Sequence, residues 1–216
     1  YFDIEYSFVN EGSLSISDGA QVHLRDLQDN VNELSLTGSQ TRAWFDGLYS
    51  FNKTANIGLG SSLYLSASSW RLASSMNISG TVIFDHLFDS GATFNALKAQ
   101  VISGYANNTW TGNGLRNPQA AADARYTLGY ATSRAILGPI GGVFNEIDVD
   151  STAVIIHHTL DADFNFDNTV NFYDVLKLAQ YYNEPNRNYT DGDTNFDGAV
   201  NFIDLLRASQ LYGQLL

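Results

Sequence analysis

A twelve-residue pattern occurs twice in the last quarter of the chain, and it constrains the fold more than any other feature. Asp163-Phe-Asn-Phe-Asp-Asn-Thr-Val-Asn-Phe-Tyr-Asp174 aligns with Asp193-Thr-Asn-Phe-Asp-Gly-Ala-Val-Asn-Phe-Ile-Asp204 at an offset of 30 residues. Each copy runs on into a helical pattern, over 175–182 and 205–212, so the repeats span 163–183 and 193–213. The link between them is polar and holds Pro185.

The oxygen spacing inside each copy suits calcium, a hard cation that takes six to eight oxygen ligands. The first loop offers Asp163, Asn165, Asp167, Asn171 and Asp174 with the Thr169 carbonyl. The second offers Asp193, Asn195, Asp197, Asn201 and Asp204 with the Ala199 carbonyl. The sixth position must turn sharply, which Gly198 does freely and Asn168 tolerates. Asx-rich turns that merely cap helices would not need two matched copies, so two calcium ions are expected. Charge agrees. The chain carries −12 at neutral pH, and residues 161–216 hold nine acidic side chains against three basic ones. Such crowding repels itself unless cations neutralise it.

Two expectations follow for packing. Val170 and Val200 should pair the two loops in a small sheet. One face of each helix (Phe172, Val175, Leu176, Ala179, Tyr182 and Phe202, Leu205, Leu206, Ser209, Tyr212) should pack against the other. That core of about ten side chains, at roughly 1.5–3 kcal/mol each when buried, barely offsets the ordering entropy of about 55 residues. The module is therefore expected to be loose without calcium.

The preceding residues read as mainly β, either a β-solenoid or a β-sandwich, with a few short helices. Residues 1–10 alternate with period two, and short strand candidates follow at Leu14/Ile16, Val22/Leu24, Leu34/Leu36, Ile57/Leu59, Leu63/Leu65, Trp70/Leu72 and Val82/Phe84. Polar turns punctuate them, and no exact repeat is visible. Helical spacing appears over 93–102, from Gln119 to about Tyr126 behind Pro118, and over 131–137. A strand is expected over 149–160. The division is thus a β-rich domain at 1–160 with a helical insertion around 93–137, then a small α-helical module at 161–216.

Composition excludes several classes. The acidic charge opposes binding to nucleic acid or an anionic membrane. There is no cysteine, so an extracellular chain needs another staple, and metal is the obvious one. No apolar run reaches the length of a membrane span. No secretion leader is visible, which fits a processed product.

Other candidate sites are weaker. His157 and His158 are adjacent in an expected strand and point to opposite faces, so they cannot chelate one metal. His23 and His86 are isolated. Asp85 with Asp89, or Asp148 with Asp150, are carboxylate pairs without a cleft. No nucleophile-elbow, zinc-protease or phosphate-loop motif occurs, and no enzyme activity is expected. Trp44, Trp70 and Trp110 offer a glycan-stacking face or, more commonly, core anchors. Asn52, Asn77, Asn107 and Asn188 begin glycosylation sequons. The first strand could also complete a neighbour's sheet, giving head-to-tail polymers.

Aspartate rather than glutamate at position twelve, with no helix preceding either loop, separates these repeats from calmodulin-like EF-hands. They closely resemble dockerin type I modules, a paired F-hand fold. Upstream words add to this: Val82-Ile-Phe-Asp-His86, Ile102-Ser-Gly-Tyr105, Trp110-Thr-Gly-Asn-Gly114, Thr127-Leu-Gly-Tyr-Ala131 and the strand over 149–159. Residues 55–216 resemble the C-terminal region of secreted bacterial β-solenoid, autotransporter-like proteins. The resemblance implies a secreted or cell-surface protein with no known chemistry in this segment. Dockerins bind cohesins through Ser/Thr and basic pairs just after each loop. Here those positions hold Phe172-Tyr173, Phe202-Ile203, Ala179-Gln180 and Ser209-Gln210, which opens the alternatives of a neighbouring copy or a dock within the chain. The function expected is a calcium-stabilised, non-catalytic structural protein for extracellular assembly or surface attachment, including a fibre or matrix subunit. The alternative is a carbohydrate-binding or carbohydrate-processing accessory tethered to a scaffold.

Overall fold

The computed structural model describes residues 2–4, 12–27, 31–47, 49–66, 70–72, 75–85 and 90–216. The first ten strands are β1 (Phe2–Ile4), β2 (Ser13–Ile16), β3 (Gln21–Leu27), β4 (Val31–Leu36), β5 (Arg42–Gly47), β6 (Tyr49–Ile57), β7 (Ser62–Ser66), β8 (Trp70–Leu72), β9 (Met76–Ile78) and β10 (Thr81–Asp85). The chain shuttles between two sheets. β1, β3, β5, β7 and β10 lie side by side in one, and β2, β4, β6 and β9 in the other, with β8 also pairing β6. Every pairing among these ten is parallel.

Parallel pairing puts like on like. Leu24, Phe45, Leu65 and Phe84 form one inward row, and Leu34, Ala55 and Met76 another, all of them buried. Residues in register are 19 to 21 positions apart, as in Ala43, Leu63 and Val82 or Leu34, Ala55 and Met76. The corners between the sheets stack closely. A Cβ on Gly80 would sit 2.3 Å from the Ser61 carbonyl oxygen, so only glycine fits there.

The stack then changes hand. α1 (Ser90–Tyr105), β11 (Leu115–Arg116), α2 (Pro118–Ala122), β12 (Tyr126–Thr132), α3 (Ser133–Leu137), β13 (Gly142–Phe144), β14 (Ile147–Val149) and β15 (Val154–Leu160) follow. β15 runs antiparallel to β10, and β12 antiparallel to β15, which makes β12 the last strand of a seven-stranded sheet. α1 lays Leu97 and Val101 into the core, with Phe94 stacked 5.7 Å from Tyr130 of β12. Asn117 caps α2, and Pro118 sits at its first position.

Several expectations shift. The helix read over 119–126 stops at Ala122, because Tyr126 already belongs to β12. That strand was unforeseen, as were β5, β9 and the β13–β14 hairpin. The strand expected over 149–160 is divided between β14 and β15 by the turn that Asp150 caps at Thr152 and Ala153. The described part of the first strand, Phe2–Ile4, pairs with β3 of its own chain; residues 5–10 lie outside the described residues.

After β15 come the two repeats: α4 (Phe172–Gln180), β16 (Glu184–Pro185), β17 (Ala199–Val200) and α5 (Phe202–Leu211). The module is thus not purely helical. The core continues without a break from the sheets into it, and includes Phe164, Phe166, Val170, Leu178, Tyr189, Phe196, Val200 and Ala208. Among the described residues no helix is long and apolar enough to cross a membrane.

Candidate metal centre

In the first loop, Asp163, Asp167 and Asp174 bring carboxylate oxygens within 4.8 Å of one another. The backbone shapes this. Asp167 N–H and Asn168 N–H donate to the two Asp163 oxygens at 3.1 and 3.0 Å, and Asn168 takes the left-handed conformation at φ 69°. Asn165 and Asn171 turn their amides to Asp167 at 2.9 and 3.1 Å. Asp174 accepts from Phe164 N–H and Asn171 N–H, both at 2.8 Å. Asn171 in turn caps α4, so each loop ends in a reciprocal capping box.

The second loop repeats these bonds with two omissions, the Asp197 N–H to Asp193 and the Asn201 amide to Asp197. Gly198 N–H donates to Asp193 Oδ2 at 2.9 Å, and Asp204 accepts from Thr194 N–H and Asn201 N–H at 2.9 and 2.8 Å. Asp193 is fully buried, yet its Oδ1 has no hydrogen-bond partner.

Capping alone does not explain this arrangement. Asp163, Asp174, Asp193 and Asp204 are all fully buried. Burial, with neighbouring carboxylates, pushes Asp163 up to about 7 and Asp193 up to about 7. In the first loop three carboxylates converge, two of them buried, and in the second a buried carboxylate keeps an orphaned oxygen; each fits a divalent cation held by oxygen. The side chains available are those read from the spacing, with the carbonyls of Thr169 and Ala199 at position seven.

Two packing expectations are corrected. The loops do not pair with each other through Val170 and Val200. Thr169 bridges to Leu215 and Val170 N–H donates to the Gln214 carbonyl, while Val200 pairs with Glu184 in the β16–β17 ribbon. Each loop therefore pairs with the segment that follows the other repeat's helix. The helix faces also differ. Asp174, Leu178, Asp204, Ala208 and Leu211 point inward, because the aspartate at position twelve is also the third residue of its helix. Phe172, Tyr173, Leu176, Phe202, Ile203 and Leu206 are exposed, Phe172 at 62% and Phe202 at 64%.

The residues that join the module to the sheets were not foreseen. Phe166 and Phe196, position four of each loop, adopt φ of 59° and 58° and are buried. Phe196 lies 4.8 Å from Tyr105 and 5.8 Å from Tyr130, and Phe166 lies 5.4 Å from His157. Tyr189 sits among them, its hydroxyl 3.0 and 2.9 Å from the carbonyls of Leu160 and Asp163. A Cβ on Gly129 of β12 would come within 2.5 Å of the Phe166 ring and 2.8 Å of the Tyr189 ring, so the glycine makes room for them. Arg207 of α5 reaches back to buried Asp161 at 2.7 Å and to the Ala124 carbonyl at 3.0 Å. The visible signal was a large aromatic at the same loop position in both repeats, where position four needs no side chain for the ion.

The other candidates find ordinary roles. His157 faces Thr81, Phe144 and Phe166, and His158 faces Asn117 and Tyr126, on opposite sides of β15. Burial lowers them to about 3 and about 4, so both are neutral. His23 lies 2.5 Å from Asp46. Asp85 accepts from the Tyr64 hydroxyl. Trp110 is 3% exposed and meets Tyr105 and Phe196 edge-on, so it is a core anchor; Trp44 is half-buried beside His23. Asn77 donates to Asn56 within the sheet, Asn107 lies in an exposed turn and Asn188 accepts from Lys98. His86, Asp89 and the side chains of Asn52 and Trp70 lie outside the described residues.

Paired twelve-residue loops, each running into one helix, define a dockerin-type module. The family model of the dockerin type I domain matches residues 161–210. Domains of this family bind calcium and take cohesin proteins as partners. No curated protein and no solved structure matches the chain.

Proposed function

We propose that this is a calcium-stabilised, non-catalytic extracellular protein whose C-terminal module holds two calcium ions and attaches the chain to a protein partner. The ligands are Asp163, Asn165, Asp167, the Thr169 carbonyl, Asn171 and Asp174 for one ion. Asp193, Asn195, Asp197, the Ala199 carbonyl, Asn201 and Asp204 serve the other. The ions supply the positive charge that four fully buried aspartates lack. The parallel rows with a 19–21-residue step support a short β-solenoid as the body that the module ends.

One observation carries the attachment role. The module grips its own β region chiefly through its loops and leaves the outer faces of both helices exposed. Phe172, Tyr173 and Leu176 on α4 and Phe202, Ile203 and Leu206 on α5 are matched residues of the two repeats, and all are exposed. Exposed apolar patches rimmed by polar residues mark protein interaction sites. Cohesin-type binding through this face would be apolar rather than built on hydroxyl and basic pairs. Buried Trp110 takes one aromatic away from a glycan-stacking face.

Calcium titration followed by size measurement tests the proposal. Two ions should bind per chain, and a complex with a partner, or a larger assembly of the chain, should form only with calcium. Phe172→Ser with Phe202→Ser should abolish that assembly and leave calcium binding intact. A chain that binds no calcium, or whose assembly ignores the double substitution, would overturn the reading.

A further inference from the structure

The two loops meet the sheets differently. Thr159 of β15 donates its hydroxyl to Asp163 Oδ2 at 2.5 Å, a contact buried on both sides. Two positions earlier on the same strand face, His157 donates to the Asn168 side chain at loop position six and is held by Thr81 at 2.9 Å. The first loop thus has its leading carboxylate and its turn residue fixed by side chains of the sheet. In the second loop no sheet hydroxyl reaches Asp193, and its Oδ1 has no partner. There the β region contributes ring contacts to Phe196 and the charge of Lys98.

We propose that Thr159 is a positioning residue for the first calcium site, so that filling this loop and closing the β15–β12 edge are one cooperative event, which the second loop does not share through any side-chain bond to its ligands. The proposal rests on the calcium reading above. The physics is that of groups one bond removed from a metal. A hydrogen bond to one carboxylate oxygen fixes the carboxylate's rotation before an ion arrives. The hydroxyl also satisfies one lone pair of a buried anion. The link works in both directions, because binding energy that orders Asp163 also orders the strand that holds it.

Calcium titration calorimetry on the whole chain and on Thr159→Val and Thr159→Ser, paired with hydrogen exchange of residues 126–132 and 154–160, tests it. Valine keeps the shape and loses the hydroxyl; serine restores the hydroxyl. Thr159→Val should weaken one of the two sites by roughly tenfold or more and leave the other unchanged, and Thr159→Ser should recover most of that loss. Chelation should speed exchange of the β15 and β12 amides by at least about tenfold. Wild-type affinity at both sites in Thr159→Val, or β15 and β12 protection indifferent to chelator in a chain that does bind calcium, would overturn this inference alone. A wild-type chain that binds no calcium would overturn it together with the reading it rests on.

Discussion

The parallel stack and the terminal module bury side chains equally well and fill their interiors with opposite chemistry. The stack packs Leu24, Phe45, Leu65 and Phe84 in one row and keeps its charges at the surface or paired, as Arg42 is with Glu146. The module buries Asp163, Asp174, Asp193 and Asp204 beneath two short helices that leave Phe172, Leu176, Phe202 and Leu206 facing solvent. The first region is held by apolar surface removed from water, which needs no partner. The second holds anions that are costly to bury alone, so its stability is lent by whatever neutralises them. One chain therefore sets a region held by apolar burial beside a region whose buried charge calls for a counter-charge.

Substitutions can break that contrast. The largest effect should come from Phe45→Ala, which leaves a cavity in the middle of the row and should cost about 3–5 kcal/mol. Denaturant unfolding should show this loss with and without calcium alike; a loss seen only in calcium would mean the regions are not separate.

Acid should come next. The fold holds His158 neutral, at about 4 against an ordinary 6.5, because burial disfavours the charge. A depressed histidine contributes stability above pH 6.5 that is lost as pH falls towards 4. The loss should approach about 3 kcal/mol at the low end, from 1.36 kcal/mol per unit. His158→Gln should remove that share of the pH dependence in urea titrations and leave the share from His157, lowered to about 3, in place.

The join between the regions should respond less. Gly129→Ala pushes a methyl into the Phe166 and Tyr189 rings and should cost roughly 1–3 kcal/mol, read as a lower melting temperature. It should leave the exchange protection of residues 31–66 unchanged. Tyr189→Phe removes only a hydroxyl shared between two carbonyls and should cost about 1 kcal/mol, visible as faster exchange at Asp163 and its neighbours.

What the sequence disclosed divides along the same line. The loop geometry was legible because twelve consecutive residues fix their own turns, so the convergence of Asp163, Asp167 and Asp174 follows from their spacing. The helix faces were not. An apolar stripe normally turns inward, but here position twelve claims the inward side for Asp174 and Asp204, and the stripe at Phe172 and Phe202 is left outside. The parallel rows escaped notice because like stacks on like only loosely: Leu34, Ala55 and Met76 share a row, and corners of varying length move the step between 19 and 21. β12 was hidden by Gly129, whose purpose is visible only once Phe166 and Tyr189 lie over it. Thr159 was illegible for a simpler reason, since its contact to Asp163 depends on how the strand enters the loop.

If ions hold the module while apolar rows hold the stack, hydrogen exchange of the whole chain, in calcium and in chelator, separates the two in one measurement. Residues 172–211 should lose protection when calcium is removed while residues 31–66 keep theirs. Equal protection of residues 172–211 in both conditions would contradict the account.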